Sequence, residues 1–444
     1  MQTEPIIDRL FESLSVSTCN FLAVERIASL LRQAGFQELC REDSWEVAPG
    51  GKYFMTINGS ALFAFIEGRN PTENGVKIIS AHSDSPGFKI KTSPEIVGDG
   101  GVVKLNVEKY GGPIMYTWFD RPLSVSGRVM LQSDDPFSPE ERLVDFRRPI
   151  ATIPHLAIHF NRAVNEGNRL SVQKDMLPVV GYFSKEELEE FRKEGGFVRH
   201  ALARELNVES ERILDYELML YPLSKPLRVG YNGEYFQSAR IDDLSMAFAA
   251  IEALIDASER LKGAAPEATL MAAIFDNEET GSGTKQGAAS PVLRDLIDRL
   301  GRKNGRSDED LYRTIANSFM ISADDAHGWH PNYNEKYDPT NHPVLGGGPV
   351  VKINANCKYM TDARGGAVFR ALCKAAGVNC QSFVNHSDVA GGSTLGNISS
   401  SQLDINGVDV GAAIWAMHSA AETAAVSDHI DMVKVFCQFF RSYH

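Results

Sequence analysis

Ala268-Thr269-Leu270-Met271-Ala272-Ala273-Ile274-Phe275-Asp276-Asn277-Glu278-Glu279-Thr280-Gly281 passes from a run that is apolar but for one Thr into three acids among four residues. A run that short, entered through Pro266, reads as a strand buried on both faces. Open α/β sheets place their ligands outside the carboxyl ends of such strands. Two adjacent glutamates there can divide the work. One can bind a metal while the other accepts a proton from water. The alternative is a solvated acidic turn, common enough that the rest of the chain has to decide.

Other segments repeat the pattern. Val76-Lys77-Ile78-Ile79-Ser80-Ala81 reads as a strand delivering His82-Ser83-Asp84 at its end. Ser318–Ala323 reads as another, running into Asp324-Asp325, and Val408–Ile414 as another, with His418 just beyond. Asp242-Asp243 opens a helix whose apolar stripe is Leu244, Ala247, Phe248, Ile251, Leu254 and Ile255. Taken alone, those two acids are a helix N-cap. Four strands that each end in a metal-competent residue are harder to dismiss, because strand ends in one sheet lie side by side.

The donors His82, Asp242, Glu279, Asp324 and His418 are imidazole and carboxylate without sulfur. That set favours zinc, with cobalt or manganese as possible substitutes. Five donors exceed one catalytic zinc site. They suit two ions sharing a carboxylate about 3.5–4 Å apart. Glu278, beside a ligand, is placed to act as general base. Asp84, two residues after His82 in an extended chain, is placed to orient its imidazole.

At 444 residues the chain exceeds one ordinary domain. Between about 93 and 232 the α/β rhythm gives way to short alternating strands, such as Leu123–Leu131 and Ile213–Leu220, with a polar helix over Ser184–Glu194. The division expected is therefore 1–92 and 233–444 for an α/β domain, with a β-rich insertion at 93–232. Within the insertion, Ile153-Pro154-His155-Leu156-Ala157-Ile158-His159 reads as an apolar strand whose histidines are ordinary packing unless something else recruits them.

A formal charge of −13 offers no basic stripe for nucleic acid. No stretch approaches the roughly 20 apolar residues of a membrane span, and the N-terminus lacks the basic and apolar regions of a signal peptide. Six cysteines without a Cys-x-x-Cys pair suit a reducing cytoplasm. The expectation is a cytoplasmic protein with no nucleic-acid or membrane partner.

The chain resembles the aspartyl aminopeptidase family of dinuclear zinc exopeptidases over essentially its whole length. The motifs that carry this are Ala-His-Ser-Asp-Ser-Pro at 81–86, Thr-Trp-Phe-Asp-Arg at 117–121, Ile-Pro-His-Leu-Ala-Ile-His at 153–159 and Val-Asn-Glu-Gly at 164–167. Further along are Arg-Ile-Asp-Asp-Leu at 240–244, Asp-Asn-Glu-Glu-Thr-Gly-Ser at 276–282, Ser-Ala-Asp-Asp-Ala-His at 322–327, His-Pro-Asn-Tyr at 330–333 and Ala-Met-His-Ser at 416–419.

The resemblance implies a mixed-sheet α/β catalytic domain with helices on both faces, interrupted by a β-rich dimerisation domain. It implies two zinc ions per subunit: one held by His82, Asp242 and Asp324, the other by Asp242, Glu279 and His418, with Asp242 bridging. Glu278 is then the base and Asp84 the orienting residue. His330 and His327 stand near the scissile carbonyl. Lys352 faces an acidic substrate side chain, and His159 reaches a neighbouring subunit's site. The implied activity is removal of N-terminal residues, preferentially Asp or Glu, from peptides by a homo-oligomer, a dodecamer built from dimers. A broad-specificity or non-acidic aminopeptidase, or another co-catalytic zinc amidohydrolase on the same scaffold, is the alternative. Two departures stand out. Asp243 replaces an Asn common in the family, and Ala355-Asn356-Cys357-Lys358 is less basic than in some members.

Overall fold

A computed structural model describes residues 4–442, and the chain divides into two compact units. The first comprises residues up to Asp84, Pro226–Met417 and the segment from Glu422 onward; the second comprises Ser85–Lys225 and His418–Ala421. The divisions fall a few residues before the expected 92 and 232. The strand Gly87–Val97 already pairs with Val102–Tyr110 of the second unit, and Leu227–Val229 already pairs with Tyr235–Ser238 of the first.

The first unit is built on a nine-stranded mixed sheet. In chain order its strands are β1 (Gln37–Glu38), β2 (Lys52–Ile57), β3 (Ala61–Ile66), β4 (Val76–His82), β5 (Thr269–Phe275), β6 (Phe319–Ala323), β7 (Val350–Ile353), β8 (Gln381–Val384) and β9 (Asn406–Gly411). Across the sheet they run β1-β2-β3-β5-β4-β6-β9-β7-β8. The centre is parallel: β4 pairs with β5 on one side, with His82 opposite Phe275, and with β6 on the other, with Ser80 opposite Ser322. The carboxyl ends of β5, β4 and β6 are therefore neighbours, as the apolar runs with acidic or histidine endings suggested.

Both faces of the central strands are covered, which is why β3, β4, β5 and β6 are largely apolar rather than alternating. Ile79, Ala81, Ala272, Ile274, Ile321 and Ala323 face one core, built with Leu244, Ile251 and Leu254 of the helix Ile241–Leu261 and Val433 and Phe436 of the helix Val426–Arg441. Ile78, Met271, Ala273, Phe275 and Met320 face the other, against Leu293, Leu296 and Leu300 of the helix Val292–Lys303. The expected α/β class, with helices on both faces, is the observed one. A second, five-stranded sheet in this unit joins Leu227–Val229, Tyr235–Ser238, Glu422–Ala425, Ala413–Trp415 and Ala326–His327. The single strand expected over 408–414 is thus split. β9 ends at Gly411, where a Cβ would collide with the Asp324 carbonyl, and Ala413–Trp415 belongs to the second sheet.

The second unit carries a six-stranded antiparallel sheet with its own core, including Phe88, Trp118, Val125 and Leu218. The helix Lys185–Lys193 starts at a Ser184–Glu187 capping box. The strand expected at 153–159 is absent. Pairing stops at Ile153, Pro154 lacks an amide hydrogen, and Leu156, Ile158 and Phe160 are exposed. Among the described residues, no helix is long and apolar enough to cross a membrane.

Candidate metal centre

His82 ends β4, almost wholly buried. Its ring is held from one side: Nδ1 lies 3.0 Å from the Asp84 carbonyl oxygen and 3.3 Å from Asp84 Oδ1. With the Nδ1 hydrogen on that carbonyl, Nε2 is the nitrogen left for coordination, and it faces Asp242 Oδ1 at 3.5 Å. Burial works against a charged His82 ring. The carboxylates of Asp243, Asp242 and Asp84 outweigh it and hold the imidazole well above its ordinary value.

Asp242 and Asp243 lie at the start of the helix Ile241–Leu261, joined by a cis peptide bond and outside helical φ/ψ. The backbone there serves the site instead of the helix. Asp242 N–H donates to Glu422 Oε2 at 3.1 Å, and Asp243 Oδ2 accepts the His82 amide at 3.0 Å. The N-cap position itself is Arg240, which makes no side-chain cap bond, and the two aspartates fall in the first turn.

After β5 the chain turns through Asn277, in the left-handed region at φ 61°, into the single turn Glu278–Thr280. Asp84 grips this turn. Its Oδ1 accepts Glu278 N–H and its Oδ2 accepts Glu279 N–H, both at 3.1 Å. Asp84 thus touches both the His82 ring and the backbone of both glutamates.

Ligand-competent atoms of His82, Asp242 and Glu279 lie within 4.8 Å of one another. Ligands around one tetrahedral zinc, at about 2 Å from it, stand roughly 3–3.5 Å apart. The three therefore stand close enough together to take part in binding metal. Asp242, Asp243 and Asp325 form a second, fully buried group of the same spread. Burial and mutual repulsion push the carboxyls of Asp243, Glu278, Glu279, Asp324 and Asp325 upward. Glu278 rises to about 8, mainly through burial, with Asp324, Asp84 and Asp242 adding to it and His82 opposing. Glu279 rises well above its usual value through burial and then Asp242. A divalent cation among these oxygens relieves that repulsion, and the donor set is one zinc accepts. The residues present fit the metal.

Asp324 follows β6, its N–H on the Val410 carbonyl at 3.0 Å. Its carboxyl is raised by burial and by Asp242, against the pull of Lys352. Lys352, on β7, is itself buried. Its Nζ lies 3.3 Å from Asp324 Oδ2 and donates to the Asp325 carbonyl at 2.9 Å. His327 packs edge-on against Phe383, and His330 packs on Tyr333 with its Nδ1 accepting the Asn332 amide at 3.2 Å. Neither belongs to the ligand group. His418 and His159 lie in the second unit. His418 Nδ1 is 3.1 Å from the Gly112 carbonyl, and His159 is exposed in the irregular segment after Ile153.

The site also includes residues that sequence reasoning did not assign. Asp325 is buried and its Oδ2 accepts Ser245 Oγ at 2.9 Å; Glu422 is buried beneath Asp242. The doublets Asp242-Asp243 and Asp324-Asp325 are the only sequence signal for the first. Glu422 follows Ala420-Ala421 and gives none.

Against known proteins, residues 14–440 match the family described as aminopeptidase I zinc metalloprotease, M18. The probable M18 family aminopeptidase 2 of Clostridium novyi (strain NT) is 43% identical over 434 residues, covering 98% of each chain. Among solved structures, Ape4 in its complex with Nbr1 superposes with a TM-score of 0.93 at 32% identity, over 99% of this chain and 86% of that one. The S. cerevisiae mApe1 dodecamer superposes with a TM-score of 0.86 at 26% identity, over 99% and 97%. With a strand-end cluster suited to zinc, the chain belongs to the aminopeptidase I zinc metalloprotease family, M18, and is a metalloaminopeptidase, a hydrolase acting on peptides.

Proposed function

We propose that this chain uses two zinc ions to remove N-terminal residues from peptides, with a preference for Asp and Glu. The observation that carries the reading is the strand-end cluster: His82, Asp242 and Glu279 with converging ligand atoms, Glu278 next to them, and Asp324 on the neighbouring strand end. His82, Asp242 and Asp324 would hold one ion. Asp242 and Glu279 would hold the other, with His418 as the remaining ligand that the sequence assigns. When bound, such a pair polarises the scissile carbonyl and lowers the pKa of water.

The chain's own residues supply the rest. Glu278 takes the proton from the attacking water and returns it to the departing amine. Asp84 holds the Glu278–Glu279 backbone, so base and ligand keep a fixed separation. The acidic preference is assigned to Lys352, and His327 and His330 to contacts near the scissile bond. By likeness to the mApe1 dodecamer, the assembly is a homo-oligomer, with a dodecamer as the proposed state and His159 serving a neighbouring subunit's site.

A second reading, a broad-specificity aminopeptidase, is favoured by one observation: the Lys352 ammonium already engages two acceptors inside the protein. Amides of Asp, Glu, Ala and Leu, with free and blocked N-termini, assayed under zinc, cobalt and manganese, separate the two. The proposal expects cleavage only of free N-termini, faster for Asp and Glu, lost on chelation and restored by zinc. Faster cleavage of Leu or Ala than of Asp and Glu would establish the second reading.

A further inference from the structure

Lys352 is placed where an ordinary substrate-facing lysine need not be. It sits in the middle of β7, only 3% exposed, between β9 and β8. Its ammonium has three hydrogens. One goes to the carbonyl oxygen of Asp325 at 2.9 Å, and Asp324 Oδ2 lies at 3.3 Å. The ring of buried Tyr359 stands 5.7 Å away. Two consecutive residues at the end of β6 are thus held by one side chain, one through its backbone and one through its carboxylate.

Asp324 is constrained from a second direction. Its amide is bonded to Val410, and its carbonyl lies so close to Gly411 that only glycine fits there. With the backbone fixed, the remaining freedom of Asp324 is rotation of its carboxylate. Lys352 occupies one oxygen and leaves the other.

We propose that Lys352 is a positioning residue for Asp324, holding Oδ2 so that the other oxygen is the one presented to a metal ion. This rests on the two-zinc reading above and adds that Lys352 serves the metal before it serves any substrate. Its ammonium already donates to the Asp325 carbonyl and pairs with Asp324 Oδ2, and an acidic substrate side chain can use only what those contacts leave. A group that orients a metal ligand from behind changes metal affinity when lost, typically by about 10- to 100-fold.

The test is zinc affinity measured without substrate. Metal-free wild type, Lys352→Met and Lys352→Gln are titrated with zinc in competition with a chromophoric chelator, with circular dichroism and assembly size checked in parallel. The expected result is a roughly 10- to 100-fold loss of affinity at one of the two ions in both variants. kcat falls for Leu and Asp substrates alike at limiting zinc and recovers as zinc is raised. Lys352→Gln is the second variant should Lys352→Met fail to fold, because it keeps a polar end. Adding Lys352→Gln to Asp324→Asn should cost little further affinity, since the ligand that Lys352 orients is already altered and the two changes are not additive. Unchanged zinc affinity, with the loss confined to KM for Asp and Glu substrates, would overturn the proposal, as would full additivity with Asp324→Asn. A wild type that binds zinc but cleaves no aminoacyl substrate would instead remove the functional reading, and the zinc titrations would still decide the role of Lys352.

Discussion

Replacing Asp84 by Asn isolates the bond pattern that fixes Glu278, the proposed base. In the wild type, two carboxylate oxygens each accept one amide hydrogen at 3.1 Å, from Glu278 and Glu279. An amide of the same shape has one oxygen and one NH2 group. It keeps one of these bonds and turns a donor toward the other N–H. A hydrogen bond to a charged group contributes about 1.5–3 kcal/mol. Losing one therefore costs roughly 10- to 200-fold in kcat/KM if the loss falls on the placement of Glu278. The His82 ring is less affected, because its Nδ1 partner at 3.0 Å is the Asp84 carbonyl, which the substitution leaves in place. The assay is kcat and KM on a free aminoacyl substrate, with zinc content measured on the same sample. The expected result is lower kcat at near-normal zinc content. A variant within about threefold of wild type would refute the argument that these two bonds hold the base. Activity that fell in step with zinc content would show that Asp84 acts through His82 instead.

Three other outcomes are expected. Glu278→Gln keeps shape but cannot accept a proton, so turnover drops by at least ~10²-fold with zinc retained, whereas Glu279→Gln loses zinc first; elemental analysis beside the rate tells them apart. His159→Ala lowers turnover without lowering zinc content, and mixing its subunits with Glu278→Gln subunits recovers some activity; verified hybrids that stay inactive would return His159 to an ordinary surface histidine. His429 is buried and held neutral, its ring pushed down to about 4 by burial and then by Arg9. A depressed folded value means its contribution to stability is complete above the usual imidazole value near 6.5 and is lost as pH falls through about 4, roughly 3 kcal/mol in all. Urea unfolding between pH 8 and 5 should show a smaller acid loss for His429→Phe than for wild type; equal losses would place the acid sensitivity elsewhere.

What could be read from the chain alone was whatever depends on local pattern. The apolar runs at 76–81, 268–275 and 318–323 become neighbouring central strands because a run buried on both faces has no other low-energy place in an α/β protein. Their polar endings mark the site because parallel neighbours end together. The insertion was visible as a change from continuous to alternating apolar residues. The reading of 153–159 failed because apolar content alone does not supply a pairing strand, and Pro154 stops the ladder.

Other features were decided only by tertiary packing. Asp84 reaches the amides of Glu278 and Glu279, nearly two hundred residues away, only because β4 and β5 lie in register. The resemblance has Lys352 face an acidic substrate side chain, yet β7 lies next to β9 and its ammonium is carried beside Asp324. Glu422 stands under Asp242 because its strand joins the second sheet beside Tyr235–Ser238. Sequence spacing carries the chemical type of a side chain and the periodicity of its element. Which distant partner neutralises a buried charge is settled by strand order and register, and those exist only once the sheet has formed.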